Sequence, residues 1–266
     1  MERTNEVIKR RTFVISLAGI AASLACRESP MAPVVMEPAR LRVIPAKPTR
    51  SAKLGLQPIG LLPALPALQR DGVLYVPQMY KPSEPLPLVV LLHGSSGSGE
   101  SWFGSYGARA DAARVIMLAP DSRSFSWDAT QEEPFGVDIA FLNEAIASAF
   151  DRCAIDSSRM AIVGFSDGAS YALSLGLANG DVFRSVVAYS PGGIYTNARH
   201  GHPAIRMFHG TNDTVLPIDQ TSRRMVPELR QAGYDVTYTE FDGGHEVSAS
   251  VADASMAWLG SEFAAW

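Results

Sequence analysis

Residues 87–94 read PLVVLLHG, and the five apolar residues from Leu88 to Leu92 leave no polar position on either face of a strand. Side chains alternate across a strand, so such a run needs apolar cover on both sides, the environment of a central strand in a parallel sheet. Six further segments carry a related signature: 72–77, 114–120, 159–165, 184–190, 204–210 and 236–241. Helix-like stretches separate several of them, chiefly 137–150, 169–178, 220–231 and 248–265. Strands alternating with helices predict an α/β domain with a doubly wound, mostly parallel sheet and helices on both faces. There is no internal repeat, and no connection is long enough to hold a large cap domain.

Composition limits what the domain binds. With 266 residues, 47% of them hydrophobic, the chain can bury a sizeable core. The net charge of −4 and the lack of a dense Lys/Arg run beyond the N-terminus argue against a nucleic-acid partner. The two cysteines, Cys26 and Cys153, make no disulfide framework and no metal-ligand spacing. His200 and His202 are near neighbours, but no Cys, Asp or Glu cluster accompanies them, so they read as an exposed loop. Cys153 reads as a small buried thiol. No metal and no cofactor is expected.

The N-terminus has its own logic. Lys9, Arg10 and Arg11 lead into an uncharged run from Thr12 to Ala25, too short to span a membrane and built like an export signal of the twin-arginine kind. Residues 1–26 are therefore read as that signal. Cys26 falls where lipoproteins carry their lipidated cysteine, although Ser23, Leu24 and Ala25 depart from the usual pattern. An exported chain then has two end states, one attached to a membrane through Cys26 and one cleaved to a soluble form. Prolines 30, 33, 38, 45 and 48 mark residues 27–51 as a tether, with the catalytic domain over 52–266.

Between the strand-like 159–165 run and the helix-like 169–178 run lies Gly164-Phe165-Ser166-Asp167-Gly168, a G-x-S-x-G pattern. The strand-turn-helix context makes Ser166 a candidate nucleophile. A serine hydroxyl needs a general base, an acid to orient that base, and donors for the developing oxyanion. Asp213, in the loop after the 204–210 strand, is the candidate acid, and His245, in a glycine-rich loop after the last strand, is the candidate base. Asp242 and Asp167 compete for the acid role, but the first lies only three residues before His245 and the second should point away from it. The loop after Leu92 can aim the Ser95 backbone N–H at the same point as the Asp167 N–H. His93 precedes that loop and has no acid partner in view, so it reads as a structural hydrogen-bonding residue. Trp102, Phe103, Tyr106, Phe125, Trp127 and Tyr195 are candidate substrate walls.

The segments LVVLLHGSSGS, IDSSRMAIVGFSDGASYALSLG, MFHGTNDTVLP and FDGGHE give the chain, from Gly72 onward, a resemblance to the α/β-hydrolase superfamily. It is most similar there to bacterial serine esterases of the phospholipase/carboxylesterase and polyhydroxybutyrate-depolymerase-like or feruloyl-esterase-like groups. One departure is visible: Gly168 is followed by Ala169 where these groups often have a second glycine. The resemblance implies a serine carboxylic-ester hydrolase with Ser166, Asp213 and His245 as its triad, oxyanion donors at Ser95 and Asp167, and short-chain, aryl or polyester-type esters as substrates. Acyl transfer or peptidase chemistry on the same triad is the alternative. A non-catalytic binding protein on this scaffold is the other, and it predicts a decayed triad that this chain does not have.

Overall fold

The computed structural model describes residues 39–61 and 70–265. The export-signal segment, Cys26 and the first part of the expected tether lie outside the described residues.

Among the described residues eight strands form one sheet. In chain order they are β1 (Gly55–Pro58), β2 (Gly72–Val76), β3 (Leu86–Leu92), β4 (Ile116–Pro120), β5 (Ile155–Phe165), β6 (Ser185–Tyr189), β7 (Ala204–Gly210) and β8 (Val236–Phe241). The spatial order is β1-β2-β4-β3-β5-β6-β7-β8. Pairing is antiparallel for β1 with β2 and β2 with β4, and parallel from β4 through to β8. Among the described residues five α-helices cover it: α1 (Phe103–Ala113), α2 (Val137–Arg152), α3 (Asp167–Ala178), α4 (Ser222–Gln231) and α5 (Ala249–Ala264).

The apolar run at 88–92 explains the layering. Leu88, Val90 and Leu92 of β3 enter a core shared with α2, α3 and α4, whereas Val89 and Leu91 enter a second core shared with α1 and α5. In β5 the same alternation sends Met160 and Ile162 one way and Ala161 and Val163 the other. Each central strand is apolar throughout because each face meets helices. Residues 190–203, between β6 and β7, contain no helix, so that connection carries no helical cap.

Two elements were not predicted from sequence. Strand β1 has only four residues on the sheet edge and is half exposed, so its pattern is weak. Helix α1 buries only Tyr106 and Ala110, and its two glycines dilute the apolar stripe that would announce a helix.

The packed domain also begins upstream of the expected boundary at residue 52. Ala39 and Leu41 are buried. The Asn179 side chain donates to the Ala39 carbonyl at 2.6 Å and accepts from the Leu41 N–H at 2.8 Å. Arg40 donates to the Ala178 carbonyl at 2.7 Å and pairs with Asp181, and the Thr49 and Arg50 N–H groups both reach the Asp151 carbonyl. A proline-spaced segment cannot join a helix or a central strand, but its backbone groups can still be met by side chains and helix ends, which is what residues 39–51 do.

Asn179 is the hub of that attachment, fully buried and also donating to the Leu175 carbonyl. Asn179→Ala leaves buried backbone groups of residues 39 and 41 without partners, so it should lower the unfolding free energy by about 1–3 kcal/mol. Denaturant unfolding checks this, and an unchanged midpoint would show that the segment contributes nothing to stability.

Candidate active site

The turn between β5 and α3 is set by steric necessity. A Cβ on Gly164 would lie 2.0 Å from the Gly168 carbonyl oxygen, and one on Gly168 would lie 2.2 Å from the Leu92 carbonyl oxygen. Only glycine at both positions lets α3 start so close to β3 and β5. Ser166, between them, has φ 57° and ψ −122°, a conformation L-residues rarely adopt. Its N–H donates to the Tyr189 carbonyl at 2.9 Å, and its carbonyl accepts from Ala169 and Ser170. The strained turn is thus held from both sides, with the hydroxyl at the C-terminal edge of the sheet.

His245 Nε2 lies 2.8 Å from Ser166 Oγ, and its Nδ1 lies 2.7 Å from Asp213 Oδ2. The carboxylate only accepts, so Nδ1 carries the ring proton and Nε2 presents a lone pair to the serine hydroxyl. This is the tautomer a general base needs. Asp213 Oδ1 accepts the N–H groups of Val215 at 2.9 Å and Leu216 at 2.8 Å. Burial alone would push the Asp213 carboxyl up, but the Leu216 N–H, the bond to His245 and the Val215 N–H together hold it below its ordinary value. The ring of Phe165 packs on His245 with centroids 4.8 Å apart.

The two rival carboxylates have other partners. Asp242 is exposed and accepts from Asn212 Nδ2 at 2.9 Å. Asp167 Oδ2 accepts from Ser126 Oγ at 2.6 Å. Neither meets His245. The Asp167 N–H opens α3, and among the described residues neither it nor the Ser95 N–H donates to a protein acceptor. Both are free to meet a developing negative charge, and the first also carries the positive end of the helix dipole.

An open pocket of about 250 Å³ adjoins His245, lined by Trp102, Tyr106, Phe165, Val247 and Gly94 among others. Two of the expected walls belong to it, Trp102 and Tyr106. The other four, Phe103, Phe125, Trp127 and Tyr195, do not line it: Trp127 is fully buried with its Nε1–H on the His93 carbonyl at 2.8 Å, and Phe103 stacks on Tyr75 at 5.6 Å. The rings of Trp127 and Phe103 are consumed by packing. Tyr195 is half-buried near Asp167, on whose charge its raised hydroxyl pKa partly depends after burial, and Phe125 stands 62% exposed.

Several supporting residues escaped the sequence reading. His209, wholly buried, donates Nε2–H to the Leu216 carbonyl at 2.8 Å, accepts from Ser222 at Nδ1, and lies 3.2 Å from Asp213 Oδ2. It braces the acid loop. The available signal was the repeat of His-Gly directly after Leu91-Leu92 and after Met207-Phe208. Beneath Ser126, Asp138 accepts the N–H groups of Arg123 and Asp128 at 2.6 and 2.7 Å. Asp128 in turn accepts from Tyr171, Ala129 and Gly136. Among the described residues no cluster of His, Cys, Asp and Glu could hold a metal ion.

Sheet order, elbow and hydrogen-bonded Ser-His-Asp chain together define an α/β-hydrolase. Residues 68–249 match the family model described as "Putative esterase", and the chain belongs to that esterase family. Among curated relatives, "Probable feruloyl esterase C" of Aspergillus flavus is 33% identical over 159 residues, covering 56% of this chain and 57% of that protein. "Feruloyl esterase C" of Emericella nidulans is 32% identical over 159 residues with the same shares. The chain thus spans little more than half the length of these relatives. In solved structures, the acetyl xylan esterase from Aspergillus awamori superposes with a TM-score of 0.60 at 17% identity, covering 77% of this chain and 99% of that one. At that identity the likeness concerns the fold.

The buried Asp128–Asp138 pair gives the loop beneath the site a pH signature. Burial, and then the Asp128 charge, push Asp138 up to about 6 in spite of its two N–H donors. Against roughly 3.9 in the unfolded chain, its proton contributes stability in full below that value, and the contribution is lost as pH rises through about 6. The stability advantage of the unmodified protein over Asp138→Asn should therefore shrink by up to roughly 3 kcal/mol from about pH 4 to about pH 7. Urea unfolding of both proteins across that range measures it, and parallel pH curves would contradict the assignment.

Proposed function

We propose that the protein is a serine carboxylic-ester hydrolase in which Ser166 is the nucleophile, His245 the general base and Asp213 the residue that orients and stabilises the histidine. The observation that carries this reading is the unbroken chain from Ser166 Oγ to His245 Nε2 at 2.8 Å and from His245 Nδ1 to Asp213 Oδ2 at 2.7 Å, mounted on the strained turn. As Ser166 Oγ attacks the ester carbonyl carbon, its proton passes to His245 Nε2, and Asp213 stabilises the imidazolium. The carbonyl oxygen becomes an anion received by the Ser95 and Asp167 N–H groups. Collapse expels the alcohol, which takes the proton from His245. Water then repeats the sequence on the acyl-enzyme and releases the acid.

Aryl esters are the substrate class the pocket favours. Its volume of about 250 Å³ is below the roughly 300–1,000 Å³ usual for ligand sites, which suits one aromatic ring or a short chain rather than a long acyl chain. Trp102, Tyr106 and Phe165 supply aromatic faces for such a ring. The names of the curated relatives, both feruloyl esterases, point the same way. Export is proposed from Arg10, Arg11 and the uncharged run behind them.

A fluorophosphonate probe followed by mass spectrometry tests the nucleophile directly: the adduct is expected on Ser166 and on no other serine. Ser166→Ala should abolish turnover of p-nitrophenyl and feruloyl esters, and peptide anilides should not be cleaved by the unmodified protein. The acid assignment is tested separately. Asp213→Asn should lower kcat by up to about 10⁴, because an amide favours the wrong imidazole tautomer, whereas Asp242→Asn should leave kcat near its starting value. The reverse order would show that the acid has been misassigned.

A further inference from the structure

The 93–97 loop, which carries the Ser95 N–H, is braced from several distant segments, and one cation converges on it. Arg70, just before β2, donates Nε–H to the Ser122 carbonyl at 2.8 Å and Nη2–H to the Gly97 carbonyl at 2.6 Å. The same Nη2 lies 3.3 Å from His93 Nε2. His93 is buried, and its Nδ1 lies 2.7 Å from the Gly94 carbonyl oxygen. That oxygen only accepts, so Nδ1 holds the proton and Nε2 is left as the acceptor for the Ser122 N–H at 3.0 Å.

This arrangement fixes the direction of one peptide unit. The Gly94 carbonyl takes donors from His93 Nδ1 and from the Gly97 N–H at 3.0 Å. Across a trans peptide the C=O of Gly94 and the N–H of Ser95 point in opposite directions. Two donors anchoring the carbonyl therefore turn the Ser95 N–H away from the loop's own bonds. Gly94 itself lies against the nucleophile turn, since a Cβ on it would be 3.2 Å from Ser166 Cβ.

We propose that Arg70 is a positioning residue for ester hydrolysis: by tying together Gly97, Ser122 and the neutral, Nδ1-protonated His93, it holds the Ser95 N–H toward the developing oxyanion. The inference rests on the triad and oxyanion roles proposed above. Arg70 acts twice, as a three-way clamp and as a positive charge that opposes a second proton on His93. The groups facing that ring are Arg70 from before β2 and Asp121 and Arg123 from after β4; burial, then the two arginines, hold its pKa down against the Gly94 bond and Asp121. A proton on Nε2 would confront the Ser122 N–H and the guanidinium together, breaking the brace that orients the loop.

Arg70→Met and Arg70→Lys, compared with the unmodified chain on an aryl ester, test the proposal. Loss of a whole oxyanion donor costs about 10²–10³ in rate. Misorienting one should therefore lower kcat in Arg70→Met by roughly 10–100-fold, with KM changed less than about twofold because Arg70 itself is not among the residues that line the pocket. Lysine keeps the charge but not the planar fork, so Arg70→Lys should fold and recover part of the loss. Selective 15N labelling of the histidines supplies the readout that a purely structural role would not move: the His93 ring should take up its second proton at higher pH in Arg70→Met than in the unmodified or Arg70→Lys proteins. A kcat within twofold of the unmodified value in both variants would overturn the proposal, as would a lowered kcat with His93 titrating unchanged in Arg70→Met. If instead the unmodified chain shows no Ser166-dependent turnover, it is the hydrolase reading that falls.

Discussion

The close approach of α3 to β3 and β5 is the constraint on which the site depends. With Gly168 against the Leu92 and His93 carbonyls and Gly164 against Gly168, the chain has room for no other residue at either position. The price is a positive φ at Ser166, held in place by the Tyr189 carbonyl and the first turn of the helix. That one contact brings together three things: a serine oxygen at the sheet edge, the free N–H at the start of α3, and the 93–97 loop beside both.

Three histidines lie at or beyond the C-terminal ends of three strands, and burial sorts their work. His93 and His209 are buried, donate one ring N–H to a carbonyl, and accept at the other nitrogen, so each serves as a neutral brace for its loop. Burial is the largest influence keeping both rings uncharged. His245 stands in the half-exposed 243–247 loop, with a carboxylate on one nitrogen and a serine hydroxyl on the other. The same side chain is therefore a strut in two places and the proposed base in the third, where one ring nitrogen meets Asp213 Oδ2 at 2.7 Å and the other meets the Ser166 hydroxyl.

The acidic residues divide in the same way. Asp213 is turned inward by two backbone N–H groups and meets the histidine, while Asp242, close to His245 in sequence, is drawn to Asn212 at the surface. Asp167 is engaged by Ser126, and Asp138 accepts the N–H groups that shape the loop carrying Ser126 and Trp127. Local hydrogen-bond supply, more than proximity along the chain, decides which carboxylate can serve the base.

The parallel core was legible in the residues themselves, because a strand covered on both faces has to be apolar at every position, and 88–92 and 160–163 are. The elbow was legible too, since its two glycines and serine lie within five consecutive residues at a strand-to-helix junction. Ser166, Asp213 and His245 could be nominated from their order, but their convergence to 2.7 and 2.8 Å is a property of the β5-β6-β7-β8 neighbourhood. What sequence could not assign was every role fixed by contacts between distant segments. Arg70 reaches residues 93, 97 and 122, Asn179 ties down residues 39 and 41, and Trp127 turns inward to His93 rather than to substrate. Sequence periodicity reports which side of an element faces apolar surroundings. Only the assembled fold decides which polar atoms, tens of residues apart, lie within hydrogen-bonding distance.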